Sequence, residues 1–327
     1  MSATAFTRRR FVASGLALAP WIGPRAAGER PRRVVIAHAF EATEEQKESH
    51  ARWFKAEGWI LGGNLALEYV PLQAIEDPEA AERRAREIVA SKPDAIIVES
   101  DHQVLFRKLT RDIPLVFANL WFDPVRLGLV EAYNRPGGNM TGTAIPPIDR
   151  AWQTAIELRP GMKRIGVLYE DTLKDPYRRE MRITLGVTAS RLRLEMVEIA
   201  VRPSAPWADV ERRIRSAKVD AIDVGISDAV GWKRELMRFL ERSRIIGVWG
   251  DAYDVRDGGL FAVNSDGRRG FYEAVRMTGR ILHGASPSQM PVQFVRSIHT
   301  SINLDTARAM GIEVPASVLA AADLVYP

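Results

Sequence analysis

Runs of β-branched and aliphatic residues, each closing in polar residues and separated by amphipathic helical stretches, constrain this chain more than any other feature. The candidate strands are 33–38, 65–70, 94–100 and 114–119, then 164–169, 194–201, 220–226 and 244–250. Their apolar content is nearly continuous rather than alternating, which predicts strands covered on both faces in parallel sheets. Helical spacing fills the gaps. Residues 77–92 predict a helix with Asp77 as N-cap and Pro78 at the first helical position, and 206–218 predict its counterpart. The fold class expected is α/β, with more than one parallel sheet.

The second half repeats the first. Residues 91–101 (SKPDAIIVESD) and 217–228 (AKVDAIDVGISD) share K-x-D-A-I-x-V, and 113–123 and 244–254 follow in matching places. Two similar α/β units predict two lobes of one architecture. Between them, NRPGGNMTGTAIPP (134–147) is rich in Gly and Pro and reads as a crossover. It lacks the G-K-[ST] of a phosphate loop.

The N-terminus has a separate logic. Three arginines, Arg8 to Arg10, precede an apolar run from Phe11 to Gly23, 13 residues broken by Pro20. A spanning helix needs roughly 20. A basic region, a short apolar core and a small-residue tail (Ala26, Ala27, Gly28) describe an export signal over residues 1–27. T-R-R-R-F-V resembles the twin-arginine export motif, with Arg8 and Arg9 as the pair. Removing the signal deletes four arginines and no acids. The formal charge of +5 then becomes +1, with 42 basic against 41 acidic residues. The basic balance therefore belongs to the signal, and nucleic acid is not an expected partner. With no cysteine, disulfides, thiol nucleophiles and thiolate metal sites are excluded.

Seven segments then stand in order: 58–70, 92–98, 113–130, 135–142, 258–264, 281–293 and 302–323. Together they resemble the ABC-transporter substrate-binding proteins of the tryptophan/tyrosine type. The resemblance implies a type I periplasmic-binding-protein fold, two doubly wound parallel-sheet lobes joined by three crossovers. Residues 30–143 and 265–290 would form lobe one; 144–264 and 291–327 would form lobe two. It further implies a monomeric periplasmic protein without a cofactor that traps a small molecule and passes it to an ABC permease. A binding protein serving a signalling receptor is the alternative. Relatives commonly carry a Gly-Thr pair after the third strand of lobe one. Here the segment is Glu99-Ser100-Asp101-His102.

Ligands of open parallel sheets collect beyond the carboxyl ends of the strands. The residues there are the candidate ligand contacts: Phe40, Ser100, Asp101, Asn119 and Trp121 in lobe one, and Tyr169, Asp171, Ser227, Asp228, Trp249 and Asp251 in lobe two. His38 reads equally as a contact or as a buried, hydrogen-bonded histidine. Each aromatic could instead complete a core, and each Asp could instead cap a helix. With Glu170, five carboxylates (Asp101, Glu170, Asp171, Asp228, Asp251) stand at these ends and no Lys or Arg, which predicts a ligand with a protonated amine. GISDA (225–229) resembles a nucleophile elbow, but Ala229 replaces its last Gly and no histidine is placed as base. Catalysis and a metal are not expected.

Overall fold

A computed structural model describes residues 30–38, 40–72, 77–99, 102–146, 149–171, 175–226 and 230–327. The twin-arginine segment and the signal-peptide region 1–27 lie outside them.

The first half runs β1 (Arg32–His38), α1 (Glu44–Ala56), β2 (Leu65–Pro71), α2 (Pro78–Ala90), β3 (Ala95–Glu99), α3 (Gln103–Leu109), β4 (Leu115–Leu120) and β5 (Met140–Ala144). The second runs α4 (Asp149–Leu158), β6 (Arg164–Glu170), α5 (Asp175–Leu192), β7 (Glu195–Val201), α6 (Trp207–Ala217), β8 (Ala221–Gly225), α7 (Lys233–Ser243), β9 (Ile246–Trp249), α8 (Ala252–Arg256) and β10 (Phe261–Ser265). Then come α9 (Gly267–Leu282), β11 (Gln293–Phe294), β12 (Ile298–Asn303), α10 (Leu304–Met310), α11 (Ala316–Ala321) and β13 (Leu324–Tyr326). Local chemistry sets the helix starts. Asp77 accepts from the Glu79 and Ala80 amides at the start of α2, and Thr43 and Gln46 form a capping box on α1.

Two sheets result, ordered β11-β5-β4-β3-β1-β2 and β13-β12-β10-β9-β8-β6-β7. Stripped of their late edge strands, both have the order 2-1-3-4-5, so the internal repeat of the sequence is a repeat of topology. The first sheet is parallel throughout. The second is not: β12 runs antiparallel to β10, a departure from the expected parallel sheet. The chain passes between sheets three times, after β5, after β10 and after β11. Because β11 pairs with β5, residues 293–294 belong with the first sheet although the sequence reading placed 291–327 in the second lobe.

Each sheet is covered on both faces by an apolar cluster. Val34, Ile36, Ile97 and Val116 face α1 and α9 on one side of the first sheet; Val35, Ile96, Val98 and Phe117 face the other. The second sheet has the same arrangement. Helix α9 follows a strand of the second sheet yet packs on the first. Its seat requires Gly279: a Cβ there would lie 2.8 Å from Cβ of Glu57, and beside it the buried Trp59 indole donates to the Gly279 carbonyl at 3.0 Å.

Strand β5 lies inside the Gly- and Pro-rich segment read as a crossover, and all five of its residues are buried. A Cβ at Gly142 would sit 2.0 Å from the Phe117 carbonyl, so only glycine lets β5 approach β4. The pairing slips between Phe117 and Leu120. This irregularity puts Asn119 in a left-handed conformation (φ +53°) and aims it off the ladder.

Candidate functional site

The order 2-1-3-4-5 reverses direction between its first and third strands, and open α/β sheets take ligands at such a point, beyond the carboxyl ends of the strands. In the first lobe that point lies between β1 and β3, where His38 and Glu99 are paired in register. His38 Nε2 is 2.8 Å from Glu99 Oε2. Asn119 Nδ2 donates to Glu99 Oε1 at 3.0 Å and to the Gly267 carbonyl at 2.9 Å, so residues of three strands meet at one carboxylate and Asn119 ties them to the start of α9. Burial alone would lower the His38 pKa. The hydrogen bond and charge of Glu99 outweigh it, and the pKa lies above the usual 6.5. Behind His38, His50 stacks on Phe271 with centroids 4.1 Å apart, and burial pushes its pKa down to about 4. His38 is thus a hydrogen-bonded, buried residue at the site's edge.

Nearby, Phe40 and Trp121 are 44 % and 53 % exposed, two large apolar rings left in solvent at the strand ends of the first lobe. The second lobe's aromatics behave differently. Tyr169 is buried in the core, its hydroxyl donating to Glu198 at 2.9 Å. Trp249 is buried over Gly247 and Gly259, with Lys233 Nζ 6.0 Å from its ring. Both complete the core rather than line a crevice, which corrects their placement as contacts. Asp251 is a helix cap: its Oδ1 accepts the Tyr253 amide at the start of α8. Asp171 is exposed, with Arg202 Nε 3.6 Å from its carboxylate and Arg178 donating to its carbonyl. The strand ends of this lobe are therefore less anionic than a sequence-only count makes them. Ser100, Asp101, Ser227 and Asp228 lie outside the described residues.

The two lobes touch along α5. Tyr177 donates to Gln103 Oε1 at 2.9 Å and accepts the Val104 amide at 3.1 Å, which places it on the start of α3. Its ring stands 5.1 Å from that of Phe122, a residue packed against core clusters of both lobes. Glu180, 1 % exposed, accepts Arg126 Nε at 2.6 Å; Arg126 also reaches Thr184 and Asp123. Asp123 accepts the Val125 and Arg126 amides as a turn cap, as its place before Pro124 predicts. Among the described residues, no group of three or more metal-ligating side chains comes together and no helix is long and apolar enough to cross a membrane.

Sequence reading missed Glu99, Arg126, Tyr177 and Glu180. For Glu99 a signal existed: an acid directly after four buried residues of a strand has to meet a partner or an opening.

The family described as ABC transporter substrate binding protein matches residues 54–326. A tyrosine-binding protein of Clostridioides difficile (strain R20291) is 24 % identical over 293 residues, covering 87 % of this chain and 82 % of that protein. Among solved structures, a conserved domain protein from Vibrio cholerae has a TM-score of 0.78 at 23 % identity, covering 90 % of this chain and 100 % of that one. A Streptococcus pneumonia ABC domain in complex with L-Trp has a TM-score of 0.75 at 23 % identity, with 91 % and 100 % covered.

Proposed function

Since the chain belongs to the family of ABC transporter substrate-binding proteins, we propose that it captures a small solute between its lobes outside the cytoplasm and hands it to a membrane permease. The observation that carries this reading is the pair of like-ordered sheets whose lobes meet along α5, with a switch point at the carboxyl edge of each sheet. Such a pair can close on a ligand that touches both. No step of this role requires chemistry on the solute.

For the solute, the reading is an amine-bearing, aromatic compound of amino-acid type. Exposed Phe40 and Trp121 offer faces on which a ring and a cation can rest. Tyrosine and tryptophan are named for two relatives. Asp228, with Asp101, would accept the ammonium group, and Ser100 and Ser227 would supply hydroxyls. L-tryptophan and L-tyrosine should raise the melting temperature of the mature protein, because ligand bound only to the native state stabilises it. Their N-acetyl derivatives should bind at least about tenfold more weakly, by about 1.4 kcal/mol. Equal binding of acetylated and free forms, or unaltered binding by Asp228→Asn, would remove the ammonium reading.

Export is part of the same proposal. Replacing Arg8 and Arg9 together with lysine keeps the positive charge but destroys the pair. The expected result, by fractionation and immunoblot, is precursor retained in the cytoplasm. Undiminished mature protein outside the inner membrane would reject the twin-arginine route.

A further inference from the structure

We propose that Glu99 is a further group on the first lobe, in addition to Asp101, that meets the cationic end of the ligand, and that the proton on His38 sets how strongly it does so. The inference rests on the amine reading above and adds the residue and the control. Four observations lead to it. The pair stands at the switch point of the first sheet, at the carboxyl ends of its strands, the place where open α/β sheets take ligands. The carboxylate is oriented from two sides, by His38 at 2.8 Å and Asn119 at 3.0 Å, so each oxygen holds one donor and keeps a lone pair. Asn119 occupies a left-handed backbone conformation to do this, the kind of local strain that gathers at ligand sites. Within the pair, the Glu99 side chain is 22 % exposed and that of His38 only 9 %, so the acid is the end open to solvent.

The charge logic follows from what surrounds His38. β2 offers Pro71 and β4 the neutral Asn119. α9 offers Phe271. α1 offers His50, uncharged above about pH 4, with Tyr69 of β2 bonded to it and held neutral by burial. Glu44 and Lys47 of α1 pair with each other at 2.8 Å, and before the first residue of α9 Asp266 accepts the Arg269 amide and stands 3.9 Å from His299 Nε2. Among His38, His50 and Tyr69, His38 is the one whose proton is exchanged between mild acid and mild base. Protonated, it leaves the pair neutral; deprotonated, it leaves Glu99 as an uncompensated anion. A ligand ammonium prefers the second state, so its binding lowers the His38 pKa and releases a proton. Reciprocally, affinity rises with pH through the His38 titration, which lies above 6.5.

The test is calorimetry with L-tryptophan and L-tyrosine at about pH 6 and about pH 8, in two buffers of different ionisation enthalpy. For the wild type we expect affinity to rise about 3- to 10-fold over this range, with proton release on binding. Glu99→Gln should bind about tenfold more weakly at the higher pH and lose both effects. His38→Gln, which keeps the acid, should show the high-pH affinity at both values. Indole-3-propionate, which has no amine, should not distinguish Glu99→Gln from wild type. If Glu99→Gln binds the amino acids with unchanged affinity and pH dependence, the inference is overturned while the amine reading stands. If wild type binds neither amino acid, the amine reading fails, and this inference fails with it.

Discussion

Replacing Trp59 by alanine is expected to lower the free energy of unfolding by about 3–5 kcal/mol, measured by urea denaturation. The indole is fully buried and ties the segment after α1 to α9 through its bond to the Gly279 carbonyl. Truncation removes the ring and leaves a cavity beside Leu282, Phe54 and His283, whose ring lies 4.7 Å from that of Trp59. It also removes one of the two donors of the Gly279 carbonyl, which keeps the His283 amide at 3.2 Å, and this adds modestly to the cost. Trp59→Phe restores most of the volume but not the donor and should recover part of the loss. A loss below about 1.5 kcal/mol for the alanine variant would mean that α9 is not held to the first sheet in the way described.

The second large effect is expected at the contact between lobes. Glu180→Ala removes the acceptor of the 2.6 Å bond from Arg126, while Arg126 keeps Asp123 and Thr184. Arg126 is partly solvated, so the expected loss is about 1–3 kcal/mol rather than the full penalty of a broken buried pair. The loss falls on lobe contact and not on either core. The ligand-free variant should therefore show a larger radius of gyration by small-angle scattering, with an unfolding midpoint close to that of wild type. Where binding requires closure, apparent affinity should fall in proportion to the closed fraction, about 5- to 100-fold. A cycle with Arg126→Ala should return a coupling above about 0.5 kcal/mol. Unchanged scattering together with no coupling would show that this contact does not hold the lobes together.

The edge strands β2 and β7 were legible although only partly buried; the other legible strands are buried on both faces, because burial writes a continuous apolar run. Strands β1, β3, β4, β6 and β8 are of this kind. Strand β5 escaped because its burial depends on a glycine and on hydroxyls that find partners far along the chain. Thr141 Oγ1 donates to the Met290 carbonyl and Thr143 Oγ1 accepts from the Asn119 amide. At the site, Trp249 misled for a related reason. Its position at a strand end was visible, but the face it takes is set by the pleat, and the room for its ring comes from Gly247 and Gly259. Tyr177, Glu180 and Thr184 share one face of α5 at helical spacing. Their partners belong to another lobe, so no local pattern announces them. Asp77 was legible because a cap is satisfied within three residues.

The late return of α9 to the first sheet has a consequence for synthesis. Five strands of that sheet are complete by residue 144, while the helix covering Val34, Ile36, Ile97 and Val116 begins at Gly267. A ribosome extending the chain at about 5–20 residues per second takes roughly 6–25 s to cover the interval between them. Throughout that time this apolar face of the parallel sheet has α1 against it but lacks α9. The nascent first lobe is thus a client for any factor that shields hydrophobic surface, whereas the second lobe, whose five parallel strands and intervening helices are contiguous in the chain, can begin to assemble as it emerges.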